Sequence, residues 1–397
     1  MAFIQTMKDA IFLSAGEPSG DLHGEALIES LQKINPSLKL FGVGGPKMRA
    51  LGFESVLDME QFQVMGFVDV FLALPKLIRY FYFLANTLLK TQPKAAVFID
   101  YPGLHLRLEK HLRSKGFKGK IIHYISPSVW AHGKSRIAYM EKNLDLLLAI
   151  FPFEPPLFSS TFPVKYVGHP LVSRIQKQEA YTLPWALGKK VISLFPGSRK
   201  KEILLNFPVQ LKALKKVLSK EVVGAISVSQ EAFIPLLKQC IEKEGLSLGG
   251  PLRFVFSNET YALMQSSYAS IAKSGTVTLE LALHKVPTVV TYGIAPLDLF
   301  IAKNILRIDL PFYCIVNIVA GKEVFKELIG PHLEEKTLTS EVQRLLSPNY
   351  HREKTILLEE VIQRLGTKKA SDEAACHILE IATKRELDLD FQPLLQE

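Results

Sequence analysis

Short runs of apolar residues recur along the chain at intervals that suit alternating strands and helices. In the first half these runs are AIFLSAG at 10–16, LKLFGVG at 38–44, AAVFID at 95–100, KIIHYIS at 120–126 and LDLLLAI at 144–150. Continuous apolar strands are typical of a sheet that is buried on both faces. The segments between them carry apolar residues at helical spacing, so the pattern predicts a doubly wound parallel sheet.

The second half repeats this alternation after a polar, turn-containing interval at 167–190, which suits a linker. Five further apolar runs predict a second sheet: VISLFPG at 191–197, VGAISVS at 223–229, LRFVFS at 252–257, YASIAKS at 268–274 and VPTVVTY at 286–292. We therefore predict an α/β protein with two doubly wound, Rossmann-like domains that face each other across a cleft. Open α/β sheets bind ligands at the carboxyl ends of their strands, so the chemistry is expected in that cleft.

The pattern divides the chain into an N-terminal domain at 1–172, a second domain at 173–365 and a C-terminal helix at 366–397. The helical tail ASDEAACHILEIATKREL carries apolar residues three and four positions apart, and Ser371 is a plausible cap for it. Because such a helix buries its apolar face, the tail is expected to pack on the first domain or to be exchanged with a partner chain in a homodimer.

Charge narrows the choice of partners. The 397 residues include 48 basic and 39 acidic side chains, a formal net charge of +9. This excess favours nucleic acid, anionic lipid or phosphorylated ligands. No basic cluster or recognisable nucleic-acid-binding module accompanies it, so nucleic acid is not expected as a partner. The ordinary globular composition, with 48% hydrophobic and 22% charged residues, excludes a disordered or fibrous chain.

The cysteines indicate the redox environment. Cys240, Cys314 and Cys376 are far apart and form neither a CxxC pair nor a Cys/His pattern at zinc spacing. The pattern indicates a reducing compartment, the cytoplasm, and no structural metal. The first apolar run continues directly into polar GEPSGD and is interpreted as a buried strand rather than a signal peptide.

The most hydrophobic long stretch, at 64–89, is interrupted by charged residues and a proline, so no membrane span is expected. Its core, the predicted helix at 72–90, combines Phe, Tyr and Leu with Lys76, Arg79 and Lys90. A basic, aromatic helix of this kind can lie on an anionic membrane surface. Packing into the core of the first domain is the alternative, and the sequence leaves both open.

The loop SAGEPSGD after the first strand opens a helix and contains Ser14, Gly16, Glu17 and Ser19. Glycines permit close backbone approach, and a helix N-terminus offers N–H groups to an anion or to sugar oxygens. The alternative is a helix-capping loop with Ser19 or Asp21 as the cap. Its glycine spacing matches neither the dinucleotide fingerprint nor the Walker loop, so no redox cofactor and no ATP hydrolysis is expected.

Two further loops follow strands of the first sheet. Asp100 ends the strand in FIDYPG and is predicted to accept a proton from a substrate hydroxyl, since partial burial raises the pKa of a carboxyl group. Its alternative role is to cap the helix that begins near residue 104. The loop ISPSVWAHGKSR supplies Ser126, Ser128 and Trp130, which are suited to an amphipathic or anionic ligand. His132 is the single histidine of this loop, and a lone histidine is more often structural than functional.

The second domain offers cationic and amide groups after its strands. Arg199 in FPGSRKKEI lies at a predicted helix N-terminus, where a guanidinium is suited to a diphosphate. Its alternative is a solvated arginine in a capping turn. Ser274, Gly275 and Thr276 open the helix of KSGTVTLELAL, and Glu280 lies one turn further on. This spacing fits phosphate at the helix start and ribose hydroxyls at the carboxylate, whereas the alternative is a capped helix with a surface glutamate.

The ordered set SAGEPSGDLHG, VGGPKM, VMGFVDV, FIDYPG, HYISPSVWA, PFE, VGHPL, LFPGSR, KSGTVTLELAL and NIVAGKEVFKEL resembles the lipid-A-disaccharide synthase family over nearly the whole chain. The resemblance implies inverting glycosyltransferases of GT-B fold in Gram-negative lipid A assembly. They transfer 2,3-diacylglucosamine from UDP to the 6-hydroxyl of 2,3-diacylglucosamine 1-phosphate, giving a β-1,6-linked disaccharide and UDP. It also implies peripheral binding to the cytoplasmic face of the inner membrane, dimers formed through the C-terminal helices, and no cofactor or metal.

The resemblance also suggests roles for individual residues. Asp100 would be the catalytic base, and we add the hypothesis that Glu17 or His23 positions the sugar. The nucleotide-sugar side would consist of Arg199, Ser274, Gly275, Thr276, Glu280, Asn317 and Glu323.

The chain departs from the family pattern at several positions: Gly103, Leu104 and His105 replace Asp-Phe-Asn, the usual WAW-Arg loop reads Trp130, Ala131, His132 and Gly133, and Val316 replaces a proline. Two other functions remain open. One is a UDP-sugar 2-epimerase of the same fold. The other is a non-catalytic, membrane-surface protein that senses nucleotides.

Overall fold

The computed structural model describes residues 9–62, 67–130, 135–179, 181, 183–295 and 310–383, with side chains of the helix that begins at residue 67 described from Leu74 onward. The chain forms two compact units. Unit 1 comprises Met1–Pro170 and Thr367–Glu397, and unit 2 comprises Leu171–Gly366. Each unit is described by itself.

Unit 1 contains, within its described residues, a seven-stranded sheet in which every pairing is parallel. The spatial order is β3-β2-β1-β4-β5-β6-β7, where the strands are Ile11–Ala15 (β1), Leu40–Gly44 (β2), Glu54–Asp58 (β3), Ala95–Ile99 (β4), Lys120–Tyr124 (β5), Leu146–Ala149 (β6) and Val164–Tyr166 (β7). The connecting helices are Pro18–Ile34 (α1), Pro46–Ala50 (α2), Phe67–Thr91 (α3), Pro102–Ser114 (α4) and Ser135–Asn143 (α5).

Unit 2 contains a second parallel sheet, of six strands among the residues described. Its order is β10-β9-β8-β11-β12-β13, formed by Lys190–Phe195 (β8), Val222–Val228 (β9), Leu252–Phe256 (β10), Ser267–Lys273 (β11), Thr288–Tyr292 (β12) and Lys326–Ile329 (β13). The helices, beginning with one at the unit boundary, are Pro170–Gln176 (α6), Lys200–Lys215 (α7), Ile234–Lys243 (α8), Thr260–Ser266 (α9), Thr276–Leu283 (α10), Ile315–Ala320 (α11), Glu335–Leu346 (α12) and Pro348–Leu365 (α13).

Both sheets are buried on both faces, as their continuous apolar strands predict. Phe12 and Leu13 are neighbours in β1 and belong to separate hydrophobic clusters, because successive side chains of a strand point to opposite faces. Leu194 and Phe195 divide in the same way in β8. The predicted α/β fold with two doubly wound, Rossmann-like sheets is therefore confirmed.

All ten strands predicted from apolar runs are present, whereas β3, β7 and β13 were not predicted. These three lie at sheet edges. Their side chains are largely half-buried or exposed, so their sequences lack the continuous apolar pattern of a central strand.

The helical tail is also present, as Ala370–Thr383 (α14), and it packs against α1 within unit 1. Ala374 and Ile378 are fully buried there. The proposed cap Ser371 is wrong, because α14 begins one residue earlier and Ser371 is buried in its first turn. The Oγ atom of Ser371 instead lies 2.9 Å from the Oγ atom of Ser30 in α1.

Strand register brings the candidate loops of unit 1 together. The pairing of β1 with β4 aligns Ala15 with Ile99, so Gly16 and Asp100 leave the sheet side by side. Among the described helices, none is both long enough and apolar enough to cross a bilayer.

Candidate active site

Asp100 lies where the chain turns sharply from β4 into α4. Asp100 and Tyr101 both have left-handed backbone conformations, with φ of 50° and 51°. Such conformations are uncommon for residues other than glycine and concentrate at functional sites. The Asp100 N–H donates to the carbonyl of Tyr124 at 2.8 Å, and the Asp100 carbonyl accepts from Nδ1 of His105 at 2.6 Å. Hydrogen bonds therefore hold the backbone of Asp100 on both sides.

The carboxyl group of Asp100 is only partly exposed and lies close to that of Glu17. Burial, followed by the charge and hydrogen bonding of Glu17, raises the pKa of Asp100 above the ordinary aspartate value. A proton is thus held more tightly here than on an exposed aspartate. The capping alternative is wrong, because α4 has Tyr101 at its N-cap position and no side-chain cap.

Gly16 and Tyr101 occupy the same region of this loop cluster. A Cβ atom on Gly16 would overlap the Tyr101 ring, so this position excludes a side chain. Glu17 is the N-cap residue of α1 and accepts a hydrogen bond from Oγ of Ser19 at 3.0 Å. Ser19 is exposed. The glycine therefore lets the Tyr101 ring pack over the start of the loop while the two polar side chains remain near the surface.

The predicted capping role of Ser19 or Asp21 in α1 is wrong, since α1 has no side-chain cap. Asp21 instead accepts hydrogen bonds from the amides of Gly45, Lys47 and Met48 at 2.8, 3.0 and 3.1 Å. Its carboxylate therefore fixes the start of the short helix α2.

Ser14 and His23 have different surroundings. Ser14 is buried, and its Oγ atom lies 2.9 Å from Nε2 of His105. His23 is half-buried on α1 and lies near His169. Burial, together with His23, lowers the pKa of His169 to about 3. His23 thus lies beside a neutral histidine, on the first turns of the helix that follows Glu17.

The loop after β5 begins with Ile125 at φ 73°, a strained conformation for a β-branched residue. Ser126 is buried, Ser128 is exposed, and the Trp130 ring meets that of Phe153 edge-on at 5.8 Å. The rest of the predicted loop, residues 131–134 with its histidine, lies outside the described residues.

Sequence reasoning missed Glu154, although PFE was among the motifs. Its Oε2 atom accepts from the amides of Ile150 and Phe151 at 3.1 and 2.9 Å, and Ser126 also hydrogen-bonds to it. Burial nevertheless raises the pKa of Glu154 to about 7. The sequence signal that could have identified this residue is a single glutamate between a phenylalanine and a proline.

Helix α3 has a buried side and an exposed side, so packing into the core of the first unit is confirmed, whereas contact with a membrane stays a prediction. Leu84, Ala85 and Leu88 are fully buried in unit 1. On another side of the same helix, Leu74, Ile78, Tyr82 and Phe83 are exposed. Leu74, Ile78 and Tyr82 line part of an apolar groove of about 380 Å³ against α4, which Tyr101, Leu104 and Arg107 also line. We call this exposed surface the apolar patch.

Unit 2 brings two cations to one carboxylate at the carboxyl ends of β8 and β11. Nζ of Lys273 lies 3.1 Å from Oε1 of Glu202, and Nη1 of Arg199 lies 3.7 Å from the same oxygen. The other carboxylate oxygen accepts from the Ser198 amide at 3.0 Å. Although burial opposes it, hydrogen bonding from Lys273 lowers the pKa of Glu202 below its ordinary value. The side chain of Arg199 is 82% exposed, so the guanidinium remains open to solvent.

The start of α10 differs from its prediction in one respect. The Ser274 amide is not free, because it donates to the carbonyl of Thr291 at 2.9 Å. Gly275 occupies the N-cap position, Gly275 and Thr276 are exposed, and α10 has no side-chain cap. Phosphate binding at this helix start stays a prediction, and it would rest on Gly275 and Thr276 rather than on the Ser274 amide.

Glu280 is not the surface glutamate of the alternative reading. It is only partly exposed and accepts a hydrogen bond from the Tyr261 hydroxyl at 3.2 Å. Burial raises the pKa of Glu280, while Tyr261 and Arg174 act in the opposite direction. The Arg174 guanidinium lies 5.4 Å from the centre of the Tyr261 ring.

Asn317 uses its side chain within the chain. Its amide nitrogen donates to Phe325 and Glu327 at 2.8 and 2.7 Å, and its oxygen accepts from the amides of Val324 and Phe325 at 2.8 and 2.9 Å. Glu323 is exposed and pairs with Lys326 at 3.2 Å. Asn317 thus holds the turn that presents Glu323. Among the described residues, no group of three His, Cys, Asp or Glu side chains is placed to hold a metal ion.

Comparison with known proteins gives related sequences over most of the chain. A protein from Chlamydia trachomatis serovar D, named lipid-A-disaccharide synthase, is 41% identical over 337 residues, which are 83% of this chain and 55% of that protein. The Geobacter sulfurreducens protein of the same name is 34% identical over 388 residues, covering 94% of this chain and 98% of that protein. The chain spans about half the length of several chlamydial relatives that it matches.

Solved structures support the fold alone. The glycosyltransferase of kitacinnamycin matches 94% of this chain and 99% of its own with a TM-score of 0.61 at 13% identity. A UDP-N-acetylglucosamine 2-epimerase matches 93% and 94% with a TM-score of 0.60 at 11% identity. The fold is therefore shared by transferases and epimerases and does not choose between them. A family model for lipid-A-disaccharide synthetase matches residues 11–381, and the chain belongs to that family.

Proposed function

We propose that the protein transfers 2,3-diacylglucosamine from UDP-2,3-diacylglucosamine to the 6-hydroxyl of 2,3-diacylglucosamine 1-phosphate, forming the β-1,6-linked disaccharide 1-phosphate and UDP. Membership of the family supports this activity. The observation that carries the mechanism is Asp100, a partly buried carboxyl group with a raised pKa at the carboxyl end of a central strand. Such groups are typical of general bases.

In this proposal, the Asp100 carboxylate accepts the proton of the acceptor hydroxyl. The acceptor oxygen forms a bond to the anomeric carbon of the donor sugar as the bond from that carbon to the UDP oxygen breaks. The electron pair of the broken bond stays on the diphosphate, and attack from the opposite face inverts the configuration. Glu17 and His23 orient the sugar beside Asp100, and Ser19, Ser128 and Trp130 extend this acceptor side.

Charge on the departing diphosphate needs stabilisation, and unit 2 offers it without a metal in this proposal. Arg199 and Lys273 supply positive charge, and the start of α10 at Gly275 and Thr276 supplies amide groups. Groups of this type, oriented before the reaction, stabilise charge that develops in the transition state. Glu202 neutralises both cations until the diphosphate arrives.

The remaining nucleotide contacts follow from the same surface. Glu280 accepts the ribose hydroxyls, with Tyr261 and Arg174 holding its carboxylate. The side-chain amide of Asn317 is fully hydrogen-bonded within the chain, so we assign Asn317 a positioning role. Glu323 faces the nucleotide sugar in this proposal. Ser14 and the Ser274 amide take structural roles, since both are hydrogen-bonded within their own units.

The substrates carry acyl chains, and the apolar patch supports association with the cytoplasmic face of the inner membrane. Leu74, Ile78 and Tyr82 expose apolar surface, with Lys76 and Arg79 on the same helix also exposed. Apolar side chains flanked by basic ones are suited to an interface with anionic lipid. We also propose a homodimer in which α14 is exchanged between the subunits.

One assay tests the activity. The purified protein is incubated with UDP-2,3-diacylglucosamine and the acylated 1-phosphate acceptor, and the products are separated and identified by mass and by linkage. Disaccharide plus UDP in equal amounts supports the transferase. An epimerised donor without acceptor consumption would favour the 2-epimerase, and the absence of any product with UDP still bound would favour the nucleotide-sensing protein.

A further inference from the structure

We propose that His105 is a positioning residue, whose imidazole bridges Ser14 and the backbone of Asp100 and so orients the Asp100 carboxylate toward the acceptor hydroxyl. This inference rests on the role of Asp100 in the proposed function. His105 does not touch substrate in this proposal and acts through the backbone of Asp100 alone.

The bridge joins the ends of two neighbouring strands to the helix that follows one of them. His105 is fully buried on α4. Its Nε2 atom lies 2.9 Å from Oγ of Ser14, near the end of β1, and its Nδ1 atom lies 2.6 Å from the carbonyl oxygen of Asp100, just after β4. Both ring nitrogens are therefore engaged, and the two contacts hold the ring in one orientation.

The two contacts determine where the imidazole proton lies. A carbonyl oxygen only accepts hydrogen bonds, so Nδ1 of His105 must carry the proton. Burial, with a contribution from nearby His123, lowers the pKa of His105 to about 3, so the ring is neutral near pH 7. Nε2 is then an acceptor, and the Ser14 hydroxyl donates to it. The backbone carbonyl thus selects a single tautomer.

The contact matters because of the backbone that it secures. Asp100 and Tyr101 are consecutive left-handed residues, and Pro102 follows them. Residues other than glycine hold such conformations only where surrounding contacts over-determine them. Among the described backbone hydrogen bonds, the first of α4 go to the Tyr101 carbonyl and none goes to the Asp100 carbonyl. Without the imidazole N–H, this partly buried carbonyl would lose its partner, and we expect the backbone at Asp100 to relax and shift the carboxylate.

The ring itself cannot move aside. Its centre lies 5.3 Å from that of Phe98 and 5.7 Å from that of Tyr101. His123 lies 6.4 Å away, and its Nδ1 atom is 2.6 Å from Oε1 of fully buried Glu109. These close-packed neighbours hold the His105 ring in place, and in this proposal the precise position of Asp100 depends on them.

Two substitutions separate the contacts. The Asn side chain places its amide at the same distance from the backbone as Nδ1, so His105→Asn retains a donor for the Asp100 carbonyl and loses Ser14. His105→Gln places its amide at the distance of Nε2, so it retains Ser14 and loses Asp100. Misplacing a reacting group by about 1 Å costs on the order of 100-fold in rate. We expect kcat to fall roughly 10–100-fold in His105→Gln and less than about 5-fold in His105→Asn, with the KM of the donor nearly unchanged in both.

A double-substitution cycle distinguishes positioning from general loss of structure. In an Asp100→Asn background, His105→Gln should cost little further rate, because its effect passes through the missing carboxylate. The proposal would be overturned if His105→Gln lowered kcat by the same factor in both backgrounds, or if His105→Asn and His105→Gln lowered kcat equally. If Asp100→Asn retains wild-type turnover, the base assignment fails instead, and that result is independent of His105.

A readout without turnover keeps the proposal testable if the chain forms no disaccharide. In protein labelled with ¹⁵N-histidine, and with the His105 signals identified by their loss in His105→Asn, we expect a neutral ring protonated at Nδ1 between pH 5 and about 8. A ring protonated at Nε2, or one that titrates in this range, would contradict the bridge whatever reaction the protein catalyses.

Discussion

Nζ of Lys273 lies 3.1 Å from Oε1 of Glu202, at the end of the central strand β11 of unit 2. The Lys273 side chain is only 17% exposed and its ammonium also lies 5.0 Å from the centre of the Tyr292 ring. We therefore expect this partly buried ammonium to exchange the Glu202 carboxylate for a phosphate group of bound UDP.

Lys273→Met should weaken UDP binding. A charge-assisted hydrogen bond contributes about 1.5–3 kcal/mol, which corresponds to a loss of roughly 10–100-fold in affinity. Isothermal titration calorimetry measures the affinity for UDP, and Arg199→Ala should lower this affinity by a similar factor. Lys200→Met is the matched control, since Lys200 is exposed at the first position of α7 and makes no hydrogen bond or ion pair with Glu202 among the described residues. Equal effects of Lys273→Met and Lys200→Met would point to net charge rather than to a specific contact.

Asp100→Asn should separate catalysis from stability. Loss of a general base lowers kcat by roughly 10²–10⁴-fold, while the UDP dissociation constant stays close to the wild-type value. Because the folded pKa of Asp100 is raised, its stabilising contribution belongs to the protonated form and is lost as pH rises through that pKa. The variant should therefore unfold at a higher temperature than wild type near pH 8, with the difference shrinking as the pH is lowered. A lower unfolding temperature at pH 8 would count against the burial of an ionised Asp100.

Glu17→Gln should move the acidic limb of the pH–rate profile. The charge of Glu17 contributes to the raised pKa of Asp100, so removing it lowers that pKa. The base then stays deprotonated to lower pH, and the fall of kcat/KM on acidification should shift downward on the pH scale. Ser19→Ala provides a control that leaves the charge in place. A limb that does not move would mean that another group titrates.

Glu154→Gln should abolish part of the pH dependence of stability. The folded pKa of Glu154 is about 7, above that of an exposed glutamate, so its contribution is present at low pH and lost as the pH rises to about 7. A shift of this size is worth at most about 3 kcal/mol. Wild type should lose stability between pH 5 and 8 relative to the variant, as measured by denaturant unfolding. Parallel curves for the two proteins would show that Glu154 does not titrate in this range.

Ile78→Asp should reduce binding to vesicles of anionic lipid. The substitution places a charge within the apolar patch, where Ile78 is 48% exposed and contributes little to the core. Ile356→Asp on α13 is the matched control, because that isoleucine is 50% exposed and lies in the other unit. Vesicle flotation measures the bound fraction. A comparable loss of vesicle binding in both variants would argue against a specific role of the apolar patch in lipid binding.

The strand pattern could be predicted because central parallel strands are apolar on both faces, and this signal is local. The edge strands β3, β7 and β13 escaped it, since a half-exposed strand has no such pattern. Asp100, Arg199 and Glu280 could be proposed as site residues from their position after strands and from the family resemblance, and these roles stay predictions. Glu202 could not, because only the packing of β8 beside β11 brings its carboxylate to Lys273.

The sequence by itself determined the alternation of strands and helices, the two sheets and the family, because periodicity and ordered motifs are properties of the chain. Tertiary structure alone decided which polar side chains are available to a ligand. Ser14, Asp21 and Asn317 are all used within their own units, whereas Arg199 remains open to solvent. The physical reason is that hydrogen-bonding capacity is filled by neighbours in space, which can be far apart in the sequence, as Ser14 and His105 are at a separation of 91 positions.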